Sequence, residues 1–206
     1  MGIAALMTIA PAPFVMDTIS PGPIAVILII FLLCWACVEF YIGLSRPCEG
    51  GTPSPPFVKI CRMIWPLAIV YSWLDFGNNW TRLYSPPWLS VLLISICISS
   101  LAMRIWTVTY LGGSFSYDVK RPEGDILVTT GPYKIIRHPA YLAICILGSF
   151  PGLILGSIPG FIGMLVTTVL TVIYRIDAEE KMMHKEFGGL FIAYRQNTYR
   201  LLPFLY

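Results

Sequence analysis

Charged side chains are scarce in this chain. Only 12% of its 206 residues are Asp, Glu, Lys or Arg, whereas 56% are hydrophobic. A soluble domain carries about 25% charged residues, so this chain has too few to cover a water-exposed surface. The formal net charge is only +3 and no basic run stands out, which argues against a nucleic-acid partner. The composition therefore predicts a membrane protein.

Metal-ligand patterns and a secretory leader are also missing. The two histidines, His138 and His184, have no paired cysteines at a zinc-binding spacing, so we expect no metal. Cys34 and Cys37 form a C-x-x-C pair inside an apolar run, where cysteine packs as a small hydrophobe. The first 20 residues lack a positively charged start and contain several prolines. We expect them to form a lead-in segment, not a signal or a span.

Long apolar runs are what the sequence does have. A helix needs about 20 mostly apolar residues to cross a bilayer. Five runs approach that length: Pro23–Gly43, Phe57–Phe76, Trp88–Leu111, 139–155 and 159–174. The sequence therefore predicts an all-α fold, a multi-pass membrane bundle of about five transmembrane helices.

Glycine spacing favours a tight turn between the last two runs. Gly148, Gly152, Gly156 and Gly160 recur at every fourth position. Small residues at this spacing share a helical face and let two backbones approach closely. We expect a tight antiparallel hairpin that turns near 156–159. The alternative is a re-entrant pair that does not fully cross the membrane.

Basic residues indicate the orientation. They are concentrated after the first run, after the third run and in the C-terminal tail, and cytoplasmic segments are enriched in Lys and Arg. This distribution predicts an outside N-terminus and a cytoplasmic C-terminus. We divide the chain into residues 1–111, a lead-in and three helices, and residues 112–206, a cofactor loop, the hairpin and an amphipathic cytoplasmic tail forming the catalytic region.

Two charged junctions lie where apolar runs meet the predicted cytoplasmic face. The first is "IIRHPAYLAI" at 135–144, in which Pro139 suits the first position of a helix. Free N–H groups of that first turn, beside Arg137, favour an anion. An alternative is that Arg137 and His138 merely anchor the span at the interface.

The second junction is "VIYRIDAEE" at 172–180. Arg175 and Glu179 are four residues apart and are expected on one face of a continuing helix, whereas Asp177 and Glu180 are expected to point elsewhere. The alternative is a simple intrahelical ion pair at the membrane exit. The tail that follows alternates apolar and basic residues, which predicts an interfacial helix with His184 on the surface.

The ordered set of motifs resembles one family. "LVTTGPYKIIRHPAY", a glycine-rich hairpin, "RIDAEE", "FGGLFIAY" and "RLLP" follow one another over about residues 125–204. This order is similar to that of the isoprenylcysteine carboxyl methyltransferase family of integral membrane enzymes. The resemblance implies methyl transfer from S-adenosylmethionine to the C-terminal carboxylate of a prenylated cysteine. It also implies prenylated CaaX-type proteins and membrane lipids as partners, and a cytoplasm-facing site in the endoplasmic reticulum of a eukaryote.

The resemblance also implies roles for particular residues. Arg175 matches the arginine assigned to the substrate carboxylate. Some members carry an upstream glutamine, which the stretch "SYDVKRPEGD" at 116–125 lacks. The implied cofactor contacts are Asp125, Ile126, Leu127, Val128, Tyr133, His138, Pro139, Ala140, Tyr141 and Glu179.

Elementary chemistry agrees with such a reaction. A carboxylate is already ionised at pH 7, so its methylation needs no general base. It needs alignment with the methyl donor and partial removal of water, which an arginine fork and aromatic walls provide. Three alternatives stay open: a membrane methyltransferase acting on phospholipid amines or another small lipid, a sterol-reductase-like NADPH enzyme, and a non-enzymatic membrane scaffold. The reductase class usually has many more spans than 206 residues supply.

Overall fold

Six α-helices make up most of the computed structural model, which describes residues 21–45, 55–81, 83, 86–115 and 127–203. The predicted lead-in segment lies outside these residues. The predicted all-α membrane bundle is confirmed. The helices are α1 Pro21–Ser45, α2 Pro56–Asn78, α3 Pro87–Leu111, α4 Pro139–Ile154, α5 Ile158–Phe187 and α6 Gly189–Gln196.

Proline and glycine set the helix boundaries. Proline occupies one of the first two positions of α2, α3, α4 and α5, where its missing N–H costs no hydrogen bond. Gly112 and Gly188 end α3 and α5 with φ values of 55° and 51°. A side chain is strained at such a positive φ, so glycine is the residue that ends these helices most easily.

Four helices in the described part of the chain, α1, α2, α3 and α5, are long and apolar enough to cross a membrane. The helix α4 is apolar but has only 16 residues, which corresponds to about 24 Å. The hydrocarbon core is about 30 Å thick, so α4 is short for a complete crossing. Of the five transmembrane helices predicted from the sequence, four are therefore long enough to cross the membrane, and the fifth, α4, is shorter.

The hairpin of α4 and α5 is tightly packed. A Cβ atom built on Gly152 would lie 2.6 Å from the backbone nitrogen of Phe161, and one on Gly148 would lie 2.7 Å from the hydroxyl of Thr168. Gly156 has a φ of 74° in the turn between the helices. The predicted hairpin is present. The prediction of one shared helical face was wrong for Gly156, which lies in the turn after α4 ends, and for Gly160, which belongs to α5 and whose Cβ position faces Ser72 of α2.

The core lies around α4. This helix packs between α3 and α5, and α2 packs along the other side of α5. Leu147 of α4 packs in a buried cluster with Leu93 and Cys97 of α3 and with Leu28 and Phe31 of α1, to which Ile154 and Leu155 also belong. Because α4 is held on two sides, its first residues are fixed relative to the end of α5.

An ion pair inside the bundle joins α1 to α3. Arg104 is 2% exposed and donates from Nε and Nη2 to the two carboxylate oxygens of Glu39, at 3.0 and 3.2 Å. Trp35 also donates to Glu39 at 3.3 Å. A charge at this depth is costly unless it is paired, which explains the two-pronged contact.

We expect Arg104→Leu to lower the melting temperature in detergent by about 5 °C or more, because it removes the guanidinium from a carboxylate inside the bundle. The double variant Arg104→Leu/Glu39→Leu should recover most of the loss, since two apolar residues need no pairing. Arg62→Leu, at an exposed position of α2, is the matched control. A double variant less stable than Arg104→Leu would contradict this account.

Candidate active site

A glycine turn fastens the segment before α4 to the end of α3. Gly131 begins the 3₁₀ turn Gly131–Lys134 with a φ of 61°. A Cβ there would lie 2.5 Å from the ring of Tyr110, so a side chain has no room. The hydroxyl groups of Tyr110 and Thr130 are 2.9 Å apart and share a hydrogen bond.

Tyr133 is locked inside this turn. Its hydroxyl donates to the carbonyl oxygen of Thr107 at 3.2 Å, and its own carbonyl accepts from the Tyr194 hydroxyl at 2.7 Å. Burial raises the pKa of Tyr133 well above its usual value, Arg104 opposes the rise, and Glu179 adds to it. Tyr133 is therefore a neutral, fixed aromatic side chain.

His138 lies directly before α4 and faces two adjacent carboxylates. Its Nε2 atom is 3.3 Å from Glu180 Oε1, and its Nδ1 atom is 3.8 Å from Glu179 Oε2. The imidazole is only 4% exposed. Because α5 supplies both acids, the start of α4 is tied to the C-terminal half of α5.

The second junction meets the first at Tyr141. Arg175 donates from Nε to the Tyr141 hydroxyl at 3.2 Å, and that hydroxyl donates to Glu179. Arg175 Nη2 is also 3.3 Å from Glu179 Oε1, so the two residues share one face of α5 as expected. We call His138, Tyr141, Arg175 and Glu179 the site.

The other residues predicted from the sequence to contact the cofactor differ in how close they lie to the site. Pro139 and Ala140 are buried in the first turn of α4, and Leu127 and Val128 are half-buried in the segment that leads into the 3₁₀ turn. Asp125 and Ile126 lie outside the described residues. The Tyr133 hydroxyl contacts α3, and its carbonyl oxygen contacts α6.

Glu180 points elsewhere than the pair Arg175 and Glu179, as expected, but its partners were not predicted from the sequence. It accepts from Arg137 Nε at 2.9 Å and lies 3.3 Å from both His138 Nε2 and Arg200 Nε. Glu179 and Glu180 point in directions about 100° apart around α5. The turn before α4 reaches both acids, and the C-terminal tail reaches Glu180. The signal in the sequence was the pair of adjacent acids at 179 and 180, together with Arg137 and Arg200, for which no carboxylate partner had been predicted.

The C-terminal tail covers the turn before α4. Arg137 donates its backbone N–H to Tyr199 at 2.8 Å, Tyr199 donates to Ile135 at 2.9 Å, and His138 donates to Arg200 at 3.2 Å. The Arg137 side chain also donates to the carbonyl oxygens of Arg195 and Thr198. The tail is thus more than an interfacial helix, since after α6 it returns to the site.

The site combines one cation, one anion and aromatic surface in a mostly buried place. The side chains of Arg175 and Glu179 are 12% and 16% exposed. The rings of His138 and Tyr141 lie beside them, with centroids 5.9 Å apart. Such a place can hold an anion on Arg175 and a cationic or polar group on Glu179 at the same time.

Fold and site together define a multi-pass helical membrane protein with a charged site at the open end of its hairpin. The model of the isoprenylcysteine carboxyl methyltransferase family matches residues 92–185, which include the whole site. The resemblance inferred from the motifs is therefore confirmed.

Curated relatives and a solved structure agree with that match. The protein-S-isoprenylcysteine O-methyltransferase of Tribolium castaneum is 26% identical, over 80% of this chain and 59% of its own. The human enzyme of the same name is 27% identical, over 68% of this chain and 51% of its own. A structure of the eukaryotic intramembrane Ras methyltransferase, isoprenylcysteine carboxyl methyltransferase, superimposes with a TM-score of 0.61 at 25% identity, covering 68% of this chain and 52% of that one.

This chain spans between 51% and 61% of the length of the curated relatives that it matches. The substrates of these relatives are therefore assigned to this chain only as a proposal.

Proposed function

We propose that this protein is an S-adenosylmethionine-dependent protein-S-isoprenylcysteine O-methyltransferase, which esterifies the C-terminal carboxylate of a prenylated cysteine. The observation that carries the proposal is the meeting of His138 and Tyr141 with Arg175 and Glu179 at one end of the hairpin. The similarity to enzymes of that name supports it.

The residues around Glu179 fit the methyl donor. When bound, S-adenosylmethionine supplies an electrophilic methyl group on a cationic sulfur. Glu179 is an anion with part of its surface exposed, and it can accept hydrogen bonds from an amino group or a ribose. The Tyr141 ring offers an aromatic face to a cation.

Arg175 fits the substrate carboxylate. Its guanidinium can hold a carboxylate with two parallel hydrogen bonds, and it already contacts one in Glu179. When the substrate carboxylate takes the place of Glu179 on Arg175, Glu179 becomes available to the donor. The arginine thus orients the nucleophile, and no group in the site has to remove a proton.

Burial of the site favours this reaction. An anionic nucleophile and a cationic donor become two neutral products, so charge disappears as the transition state forms. Removal of water weakens the hydration of both charges and brings the reactants closer to that state. A site at the end of a membrane hairpin also allows the prenyl chain to stay in the lipid.

The membrane location follows from the helices, whereas the compartment belongs to the proposal. Positive residues favour a cytoplasmic site, and in a eukaryotic cell we expect the endoplasmic reticulum membrane. Prenylated CaaX-type proteins and prenylcysteine derivatives are the proposed substrates.

The proposal is tested with the purified protein in nanodiscs, methyl-labelled S-adenosylmethionine and N-acetyl-S-farnesylcysteine. We expect base-labile label in the acceptor, detected as released methanol. The same acceptor with its carboxylate converted to an amide should take up no label. If the amide and the acid were labelled equally, the carboxylate would not be the acceptor group.

Glu179→Gln should weaken S-adenosylmethionine binding about tenfold or more, because a neutral amide holds an amino group or ribose less firmly. Calorimetric titration of the cofactor, compared with the Michaelis constant for the prenyl acceptor, checks this. The acceptor constant should change much less. Glu186→Gln, at an exposed acid two turns further along α5, is the control and should leave both constants unchanged. A rise confined to the acceptor constant would reverse the assignment.

A further inference from the structure

We propose that Glu180 is a positioning residue, which fixes the His138 ring and fastens the C-terminal tail Arg195–Arg200 to the turn before α4. The inference rests on the proposed function, because the part that is held in place is the turn that would bind the cofactor. Glu180 itself need not touch a ligand.

Three basic side chains from two other segments converge on this one carboxylate. Arg137 donates to Oε1 at 2.9 Å, His138 Nε2 lies 3.3 Å from the same oxygen, and Arg200 Nε lies 3.3 Å from Oε2. Glu180 is 8% exposed, and Arg137 is also 8% exposed. A buried carboxylate with this set of partners joins α5, the turn before α4 and the tail.

The backbone shows what this junction holds together. Between residues 135 and 138 the turn exchanges hydrogen bonds with residues 199 and 200 of the tail, in a short parallel pairing. Arg137 reaches from Glu180 to the carbonyl oxygens of Arg195 and Thr198. Arg137 therefore connects the Glu180 carboxylate to the end of α6. The neighbouring His138 contacts the same oxygen of Glu180, Oε1.

A carboxylate is required here and an amide does not suffice. Oε1 of Glu180 accepts from Arg137 and lies 3.3 Å from His138 Nε2, whereas Oε2 lies 3.3 Å from Arg200 Nε as a charge contact without hydrogen-bond geometry. A glutamine has a single acceptor oxygen, and its NH₂ group would face a guanidinium, which has no acceptor. The change would release either the tail or the turn.

The consequence for function is preorganisation. His138 and the first turn of α4 lie against Glu179, so a shift of the ring changes the place where the cofactor would bind. A site that must be ordered by the ligand binds that ligand more weakly, because part of the interaction is spent on ordering. Once the ligand is bound, the chemistry still depends on Arg175.

Asp177 provides a matched control on the same helix. It contacts Arg200, as Glu180 does, but its side chain is 47% exposed. No contact of Asp177 with His138 or Arg137 is present among the described residues. Asp177→Asn therefore removes a charge from beside Arg200 while leaving the three contacts of Glu180 in place.

The experiment compares four variants: Glu180→Gln, Glu180→Asp, Arg200→Gln and Asp177→Asn. Calorimetry without the acceptor gives the affinity for S-adenosylmethionine, and steady-state assays then give kcat and the Michaelis constants for cofactor and acceptor. We expect Glu180→Gln to weaken cofactor binding at least about tenfold, which corresponds to about 1.4 kcal/mol. At saturating cofactor its kcat should fall less than about threefold, and the acceptor constant should change less than about twofold. Glu180→Asp should recover most of the affinity, and Asp177→Asn should stay within about twofold of the unmodified protein.

Tail docking gives a second readout that needs no activity. Trypsin should cut after Arg195 faster in Glu180→Gln and in Arg200→Gln than in Asp177→Asn. If Glu180→Gln does not fold, Arg200→Gln serves alone, because it leaves the Arg137 contact of Glu180 in place and should still weaken cofactor binding several-fold.

The inference would be overturned if Glu180→Gln and Arg200→Gln lowered the melting temperature but bound the cofactor like the unmodified protein. That result would leave the proposed function standing. Failure of the unmodified protein to bind S-adenosylmethionine at all would overturn both, so the two failures are distinguishable.

Discussion

Arg175→Ala is expected to reduce methyl transfer on the order of 1000-fold, which most assays record as no activity. Arg175 is the site residue best suited to fork a carboxylate, and its Nη2 atom already donates to one oxygen of Glu179 at 3.3 Å. Cofactor affinity should remain within about threefold, because the alanine variant removes a competitor for Glu179 and leaves Glu179 itself intact. The measurement compares turnover and calorimetric cofactor affinity in the same preparation.

Arg175→Lys separates charge from geometry. A lysine keeps the positive charge but offers a single rotating ammonium group in place of a planar fork. We expect activity between those of the alanine variant and the unmodified protein. Wild-type turnover in Arg175→Ala would remove this residue from the substrate role, and a cofactor affinity lowered as much as turnover would move it to the cofactor.

Gly152→Leu is expected to insert into the membrane but lose about 100-fold in activity and several degrees in melting temperature. A Cβ at this position would lie 2.6 Å from the nitrogen and 2.8 Å from the Cα of Phe161, and backbone atoms cannot turn away as a flexible side chain can. The wedge would separate α4 from α5. His138 precedes α4 and Arg175 lies just past the middle of α5, so the wedge would shift one relative to the other. A displacement of roughly 1 Å can cost on the order of 100-fold in rate.

Two controls accompany this variant. Ile30→Phe changes a side chain in α1 that is 56% exposed, and it should be mild. Gly163→Ala adds a Cβ that would meet Ala68 at 3.4 Å, an ordinary contact, and it should also be mild. Activity and stability are measured after purification in the same detergent. Full activity in Gly152→Leu would show that close approach of the two helices is not needed for the site.

The meeting of the two junctions was predictable from the sequence because of the hairpin between them. Residues 137–138 precede one apolar run and residue 175 follows the next, so an antiparallel pair must bring them to the same end. The small residues at 148 and 152 indicated how closely the helices pack. The contact of His138 and Tyr141 with Glu179 follows from these two facts.

The role of Glu180 was not predictable in the same way. Helical periodicity assigns each acid to a direction around α5, but it does not say which segment will cover that direction. The tail reaches Glu180 only after α6 has ended and Arg200 has returned to the turn before α4. The pair Arg104 and Glu39 was missed for a similar reason, since α1 and α3 are not neighbours in sequence and hydropathy does not determine which helices touch.

Labelling two acceptors in one vesicle tests the central claim most directly. The protein is reconstituted with phosphatidylethanolamine and N-acetyl-S-farnesylcysteine together, given methyl-labelled S-adenosylmethionine, and the products are separated and treated with base. The account predicts label in the farnesylcysteine as a base-labile methyl ester, lost in Arg175→Ala. Base-stable label on the phospholipid amine, with none on the farnesylcysteine carboxylate, would contradict it.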